Sequence, residues 1–386
     1  MKHNWTYKKL GEVTNKCENI RWNTIPKDSS FNYVDLTSVN RETCSIEDTQ
    51  RISIADAPSR AKQIIHEGDV IFGTTRPLLR RVCRIPHEYD SQICSTGFCV
   101  LRPTSQVFTN WIFYNLCTDR FYEYVEPLQT GANYPAVSDD VVRKFRIPIP
   151  SLNEQQAIVR ELDGINHLID LQEEQLREYN RLAQSLFYTT FGDPLTNPKG
   201  WEVKKLGEVG QVITGNTPST KDANNYASND KCFFKPSDFD ADQLTQLLES
   251  EYKISCYAYK HSRKLPKGSV LTTCIGIVGK VGILQANATC NQQINAIIPN
   301  ELIESYYLGY AIMLIKTLLS EKANAPVVPL LNKSQFSAIT IPVPPLALQQ
   351  TFAAQIEVIE QQKALVRKSL DETRTLLAAR MQYYFE

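Results

Sequence analysis

The sequence predicts a mixed α/β chain. Two similar globules, residues 1–150 and 193–344, are separated by two long antiparallel coiled-coil helices, residues 151–192 and 345–386, about a pseudo-twofold axis. Three observations carry this prediction: a repeat running through the chain, an apolar seam of heptad spacing after each globule, and short links that fix the direction of the helices.

The repeat comes first. Tyr7-Lys-Lys-Leu-Gly-Glu-Val13 recurs as Val203-Lys-Lys-Leu-Gly-Glu-Val209, each after a tryptophan, Trp5 and Trp201. Ile147-Pro-Ile-Pro150, then Leu152 and Gln155-Gln156, recurs as Ile341-Pro-Val-Pro344, then Leu346 and Gln349-Gln350. The offsets are 196 and 194 residues. Between these anchors Glu67-Gly-Asp-Val70 resembles Lys267-Gly-Ser-Val270, and Cys94 to Pro103 resembles Cys290 to Pro299. Ordered matches at a nearly constant offset point to a duplicated unit of about 195 residues, a globule followed by a helix.

The seams come next. Ile158, Leu162, Ile165, Ile169, Leu176, Tyr179, Ala183 and Leu186 are spaced by threes and fours, with Gln172 as the polar exception. Ser151 and Glu154 have capping-box spacing, and Gly192 with Pro194 ends the helix. After the 194-residue shift, Phe352, Ile356, Ile359, Val366, Leu370 and Leu377 fall in the same phase, with Lys363, Thr373 and Arg380 as polar members. Two helices packed separately on their globules would meet this pattern. Equal length, phase and position favour pairing with each other. The first helix is linked to the second globule only by residues 192–200, and the second starts directly after Pro344-Pro345. Short connections then make the pair antiparallel, so the second helix returns to the first globule. A 37-residue helix spans about 55 Å, which holds two similar surfaces at a fixed separation.

Composition narrows the class. The chain has 386 residues, 42 basic and 42 acidic, with 42% hydrophobic residues, which excludes a wholly disordered or collagen-like protein. No run is long and apolar enough for a membrane span, and MKHNWTYKKL lacks a signal-peptide core, so a cytoplasmic protein with no membrane partner is expected. The ten cysteines form no CxxC pair and read as reduced thiols. By segment, residues 1–150 carry 19 basic and 17 acidic side chains, 151–197 carry 3 and 8, 198–344 carry 15 and 12, and 345–386 carry 5 and 5. Any basic patch must therefore be local.

Two similar surfaces at fixed spacing suit duplex DNA, whose half-sites one turn apart lie roughly 34–36 Å from centre to centre. Here the residues carry a family resemblance. Asn197-Pro-Lys-Gly-Trp-Glu-Val-Lys-Lys-Leu-Gly-Glu-Val209, then Thr214-Gly-Asn-Thr-Pro-Ser219, resembles the opening of a target-recognition domain in type I restriction–modification specificity subunits. Ile-Pro-(Ile/Val)-Pro-x-Leu-x-x-Gln-Gln resembles that family's domain-to-helix junction, and Leu186-Phe-Tyr-Thr-Thr-Phe-Gly-Asp-Pro194 the end of its central helix. The resemblance covers essentially the whole chain. Before Trp5 the Pro-x-Gly is missing, and Gly-x-Thr-Pro-Ser is absent from the first globule, so a different entry strand is expected there.

The resemblance implies a non-catalytic subunit whose two target-recognition domains each read half of a split target in double-stranded DNA. The helices would set the gap and dock two DNA methyltransferase subunits using S-adenosylmethionine. Restriction/translocase subunits would supply ATP-driven, Mg2+-dependent cutting. No cofactor is expected in this chain. The rival reading is an assembly scaffold whose globules bind proteins.

The search for catalysis agrees with that expectation. There is no Asn/Asp-Pro-Pro-Tyr/Phe tetrapeptide, and Asn324-Ala-Pro-Val327 is not one. Gly276-Ile-Val-Gly-Lys-Val-Gly282 lacks the spacing of a phosphate loop and reads as a turn between strands. The five histidines show no metal-ligand spacing, and His167 reads as solvated or interfacial. Candidate DNA contacts are cations, amides and aromatics in turn-rich stretches. In the first globule these are Arg76, Arg80 and Arg81, just after a strand ending near Phe72. In the second they are Lys280 at the matching place and Lys260, Arg263 and Lys264 in the densest basic cluster. Asn133 and Tyr134, with Asn324, lie in repeat-related loops. Gln292 and Gln293, in an expected strand, could read adenine edges or pair in the core.

Overall fold

The computed structural model describes residues 5–26, 28–323 and 328–385. It divides into two compact units, Met1–Leu171 with Leu370–Glu386, and Gln172–Ser369. Both long helices are continuous, Leu152–Phe191 and Leu346–Phe385, 40 residues each.

The duplicated sequence folds the same way twice. In the first unit Thr6–Lys9 pairs antiparallel with Arg146–Ile149, so the first and last strands of the globule close on each other. In the second, Glu202–Lys205 pairs antiparallel with Thr340–Val343. The Lys-Lys-Leu-Gly-Glu-Val motif then turns inward. Lys9 N–H donates to Glu12 Oε2 at 2.9 Å and Leu10 N–H to the Phe145 carbonyl at 2.8 Å. The copies are Lys205 N–H to Glu208 Oε2 at 2.6 Å and Leu206 N–H to the Ile339 carbonyl at 2.8 Å. Leu10, Val13, Leu206 and Val209 are fully buried. A Cβ on Gly11 would meet the Arg143 Cβ at 3.3 Å, and one on Gly207 the Ser337 Cβ at 3.3 Å, so the glycine permits close approach in both copies.

The entry strands are therefore alike, contrary to expectation. The difference lies one strand later, where Thr14–Asn15 has two residues and Gly210–Thr214 has five. Each globule holds two further sheets. In the first unit one runs in the order Thr14–Asn15, Phe98–Pro103, Val70–Gly73, Val82–Arg84, and the other Gln50–Ser53, Ser30–Val34, Gln92–Ser95, Ala61–Ile65. In the second unit the main sheet runs Gly210–Thr214, Ile294–Pro299, Val270–Thr273, Val281–Leu284, Thr245–Leu247, beside a smaller one of Lys253–Ile254, Lys231–Phe234 and Thr289–Cys290. The strands Val70–Gly73 and Val270–Thr273 are buried at every residue, as their continuous apolar or Thr runs require. Gln292 and Gln293 lie in the turn before Ile294–Pro299, not in the strand, because Asn291 Oδ1 accepts from the Gln293 N–H and breaks the ladder there.

A helix covers each buried sheet, Thr109–Leu116 and Ser305–Leu314. Trp111 Nε1–H donates to the Pro148 carbonyl at 2.9 Å, and in the copy Tyr307 OH donates to the Pro342 carbonyl at 2.7 Å. Both rings are fully buried with their polar atom satisfied. The junction glutamines have the same logic. Gln155 Nε2–H donates to the carbonyls of Gln106 and Pro150, while Gln349 Nε2–H donates to those of Leu302 and Pro344. Each Oε1 accepts a backbone N–H, from Phe108 and from Glu304. One buried amide thus fastens each globule to its following helix.

The central helix opens on the expected capping box, with Ser151 N–H on Glu154 Oε2 at 2.9 Å and Glu154 N–H on Ser151 Oγ at 3.3 Å. It ends at Gly192, whose φ of 82° is left-handed and whose Cβ would strike Pro198 Cγ at 2.7 Å. Lys199 Nζ donates to the Thr189 and Thr190 carbonyls and Trp201 Nε1–H to Phe191, so the Asn-Pro-Lys-Gly-Trp motif completes the helix end with hydrogen bonds and a favourable charge.

Every expected seam position is buried or half-buried. In the second unit Phe187 and Phe191 pack edge-to-face against Phe352, at centroid distances of 5.7 and 5.2 Å, while Gln172 Nε2–H donates to Ser369 Oγ at 2.8 Å. These two contacts make the pairing antiparallel within that unit. In the first unit Ile158 and Leu162 enter the core with Leu377, Met381 and Phe385. The polar seam member Arg380 donates to Glu161, which also accepts from Tyr384 OH at 2.7 Å. Lys363 is 1% exposed and bonded to Glu360 Oε1 at 2.6 Å, and burial pulls its ammonium below the usual lysine range.

Candidate nucleic-acid interface

In each globule the loop after the buried strand is fastened to a second loop. In the first unit Gly73 N–H donates to the Arg81 carbonyl and Arg76 N–H to the Pro135 carbonyl at 2.7 Å, with a bridge between Thr75 and Ala136. In the second, Thr273 N–H donates to the Lys280 carbonyl and Gly276 N–H to the Pro329 carbonyl at 3.0 Å, with a bridge between Ile275 and Leu330. Gly276 through Lys280 thus forms a turn between strands, as read from the sequence, while Val281 and Gly282 already belong to the strand Val281–Leu284. Both ends of each loop are left-handed. The second unit uses Gly276 and Gly279, at φ of 76° and 89°. The first uses Arg76 and Arg80, at 51° and 56°. A left-handed non-glycine residue costs roughly 1–2 kcal/mol, so two guanidiniums stand where the backbone would prefer none.

The cations then divide. Arg76 is exposed and its guanidinium carbon lies 5.0 Å from the ring of Tyr134, itself 69% exposed. Tyr134 and exposed Asn133 cap a tight lasso closed by the Thr130–Ala136 bridge, where Gly131 has a φ of 95° and a Cβ would lie 2.9 Å from the Tyr134 carbonyl oxygen. Arg81 makes no side-chain ion pair among the described residues. Arg80 is already engaged, paired with Asp119 and lying 4.3 Å over Tyr122. It lines a cavity of about 710 Å3 with Cys44, Cys117 and Leu377. The Cys44 thiol there is lowered to about 7 by its hydrogen bond with Cys117, against the opposing effect of burial.

In the second unit Lys260 is exposed at the end of the helix Cys256–His261. Lys264 lies 5.7 Å from the Tyr259 ring, and Lys231 reaches the same ring at 5.6 Å. Lys231 is far away in sequence, so no local cluster announced it. Arg263 donates to the Thr214 carbonyl at 2.6 Å and so braces the end of a strand. Lys280 donates to the Phe239 carbonyl at 2.8 Å and is half-buried, which places its charge inside the domain. Gln292 is exposed and accepts from Thr217 Oγ1, whereas Gln293 accepts from Asn291 Nδ2–H at 2.8 Å. Asn324 lies outside the described residues. Among the described residues no group of three or more His, Cys, Asp or Glu could hold a metal ion, and no helix is long and apolar enough to cross a membrane.

Comparison with known proteins follows the same repeat. The model of the type I restriction modification DNA specificity domain matches twice, over residues 2–180 and 198–373. The HindI specificity subunit of Haemophilus influenzae is 23% identical over 98% of both chains. The MjaIX specificity subunit of Methanocaldococcus jannaschii is 25% identical over 70% of this chain and 68% of its own. A solved structure from a study of complex assembly and conformational transition of the type I R-M system covers 98% of this chain and 96% of its own, at 28% identity and a TM-score of 0.61. The S subunit of a type I system from M. genitalium, at 13% identity and a TM-score of 0.60, shares the fold. With two family domains spanning nearly its full length, the chain belongs to the type I restriction–modification DNA specificity family.

Proposed function

We propose that this chain reads a bipartite, asymmetric DNA target, one half with each globule, and positions methyltransferase and restriction subunits on it. The observation that carries the reading is the twice-built loop pair. Each copy is fastened to its sheet and to a second loop, and in the first unit it presents Arg76 and Tyr134 outward, with half-buried Arg81 at the end of the same loop. Guanidiniums serve phosphates and guanine edges, and an exposed aromatic serves a base face. Lys260 and Lys264 supply the corresponding charge in the second unit. Arg80, Arg263 and Lys280 act instead as braces for those loops, with Arg80 still half exposed and able to add to the field. Asn133, on the second loop of the first unit, and Asn324, at the repeat-related place in the sequence, are amide readers.

The chain itself transfers no methyl group and cuts no bond, because its sequence holds no amino-methyltransferase tetrapeptide and no phosphate loop. S-adenosylmethionine, ATP and Mg2+ belong to the partners, two methyltransferase subunits and restriction/translocase subunits. Co-expression with the methyltransferase of its own host, followed by genome-wide mapping of N6-methyladenine, tests this. A split motif with two fixed halves is expected. Methylation without a motif, or a chain that leaves no sequence-specific footprint, would favour the protein-scaffold reading instead.

A further inference from the structure

We propose that Leu78 and Ile277 are apolar wedges, each entering the base stack of its own half-site and unstacking one step. This rests on the DNA-reading function proposed above. Single exposed aliphatics are common on protein surfaces and mean little alone. These two lie in the same loop of both repeats, between its two left-handed residues, Leu78 two places after Arg76 and Ile277 one place after Gly276. Leu78 is 44% exposed and Ile277 63% exposed. Their neighbours Pro77 and Val278 are buried, so the tip is anchored while one side chain projects.

The loops are stiff. In the first, Leu79 N–H donates to the Arg76 carbonyl at 3.0 Å and Arg80 N–H to Pro77 at 2.9 Å. In the second, Gly279 N–H donates to the Thr273 carbonyl at 2.9 Å and Thr273 Oγ1 to the Ile277 carbonyl at 2.6 Å. A preorganised tip loses little entropy on insertion. The flanks also fit. In the same loop as Leu78 stand exposed Arg76 and half-buried Arg81, neither paired with a carboxylate among the described residues, and both cations suit the phosphates of an opened step. Beside Ile277 stands Gly276, where a Cβ would meet nothing within 4 Å, so packing does not demand the glycine. Its left-handed φ and lack of side chain let the backbone approach a duplex closely. Aliphatic wedges between base steps kink DNA and widen the surface it offers.

The test uses the full chain with the methyltransferase subunits of its host. A duplex is first selected from a randomised pool, and 2-aminopurine is then placed at successive positions of each half. Binding is expected to raise fluorescence at one step per half-site. Leu78→Ala should abolish the rise in one half only, Ile277→Ala in the other, each weakening binding about tenfold, or about 1.4 kcal/mol. Leu78→Phe, which keeps an apolar wedge, should retain the rise, and thermal melting should show all three variants folded. A selected duplex that binds without any rise, or a rise that survives both alanine variants, overturns the wedge and leaves DNA reading intact. Failure to select any duplex sinks both.

Discussion

Phe385 packs on Trp111 with ring centroids 4.9 Å apart, and Trp5 meets the same indole edge-on at 6.1 Å. The last turn of the C-terminal helix is therefore part of the first unit's core, where Phe385 is 3% exposed. Phe385→Ala should cost that unit about 3 kcal/mol through lost burial and a cavity. Hydrogen exchange distinguishes the outcome. Amides of Val70–Gly73 should lose protection while those of Val270–Thr273 keep theirs, and equal losses in both would contradict the packing.

Arg76 should trade stability against binding. Arg76→Gly relieves a left-handed backbone but removes the contact with Tyr134. Stability should stay level or rise by up to about 1 kcal/mol, measured by urea unfolding. The slope of log binding against log salt should fall by about 1. The half-site read by the second unit should keep its base preference in a methylation map. A uniform relaxation of both halves would refute modular reading. Lys280→Ala should instead lower stability with little change in the salt slope.

The buried pair of Lys363 and Glu360 makes a pH prediction. Burial lowers the folded-state affinity of Lys363 for its proton, so the unfolded chain binds that proton more tightly. Stability should then rise with pH through the window just below the ordinary lysine value of about 10.4. The rise should vanish in Lys363→Met. Glu360→Ala, which strands the ammonium, should cost roughly 3–5 kcal/mol, whereas the double change to Met and Leu should be neutral or stabilising. Denaturant midpoints across pH check all three.

If the helices set the gap between half-sites, one heptad inserted at matching points of both adds about 10 Å. That corresponds to roughly three base pairs. The half-site sequences should not change, since no loop is touched. A methylation map with the original gap would leave the helices as a docking surface only.

Much of this was legible in the sequence because the repeat repeats its hydrogen bonds. Gln155 and Gln349 are recognisable as a motif since the same buried amide must satisfy the same three backbone groups. The seam was legible even at its polar positions, for Gln172 and Arg380 each find a partner across the pair. The site was less so. Nothing in local composition tells that Lys280 and Arg263 turn toward backbone carbonyls while Arg81 does not. Nor could it tell that Arg76 occupies a position its counterpart gives to glycine. Those are facts of backbone conformation and of residues distant in sequence, such as Lys231 beside Tyr259.

The ribbon joining the first and last strands of each globule has a genetic consequence. A segment whose two ends are hydrogen-bonded to each other leaves and rejoins the chain at one place, so it can be replaced as a unit by a segment that supplies the same helix-facing residues. The boundaries fall at Thr6–Lys9 with Arg146–Ile149 and at Glu202–Lys205 with Thr340–Val343. The near-identical residues at these joints, Lys-Lys-Leu-Gly-Glu-Val at one end and Ile-Pro-x-Pro at the other, mark where a replacement keeps the closing pair. Exchanging the segment between them installs a new reading head, and the helix contacts persist where the incoming globule supplies counterparts of Trp111 or Tyr307.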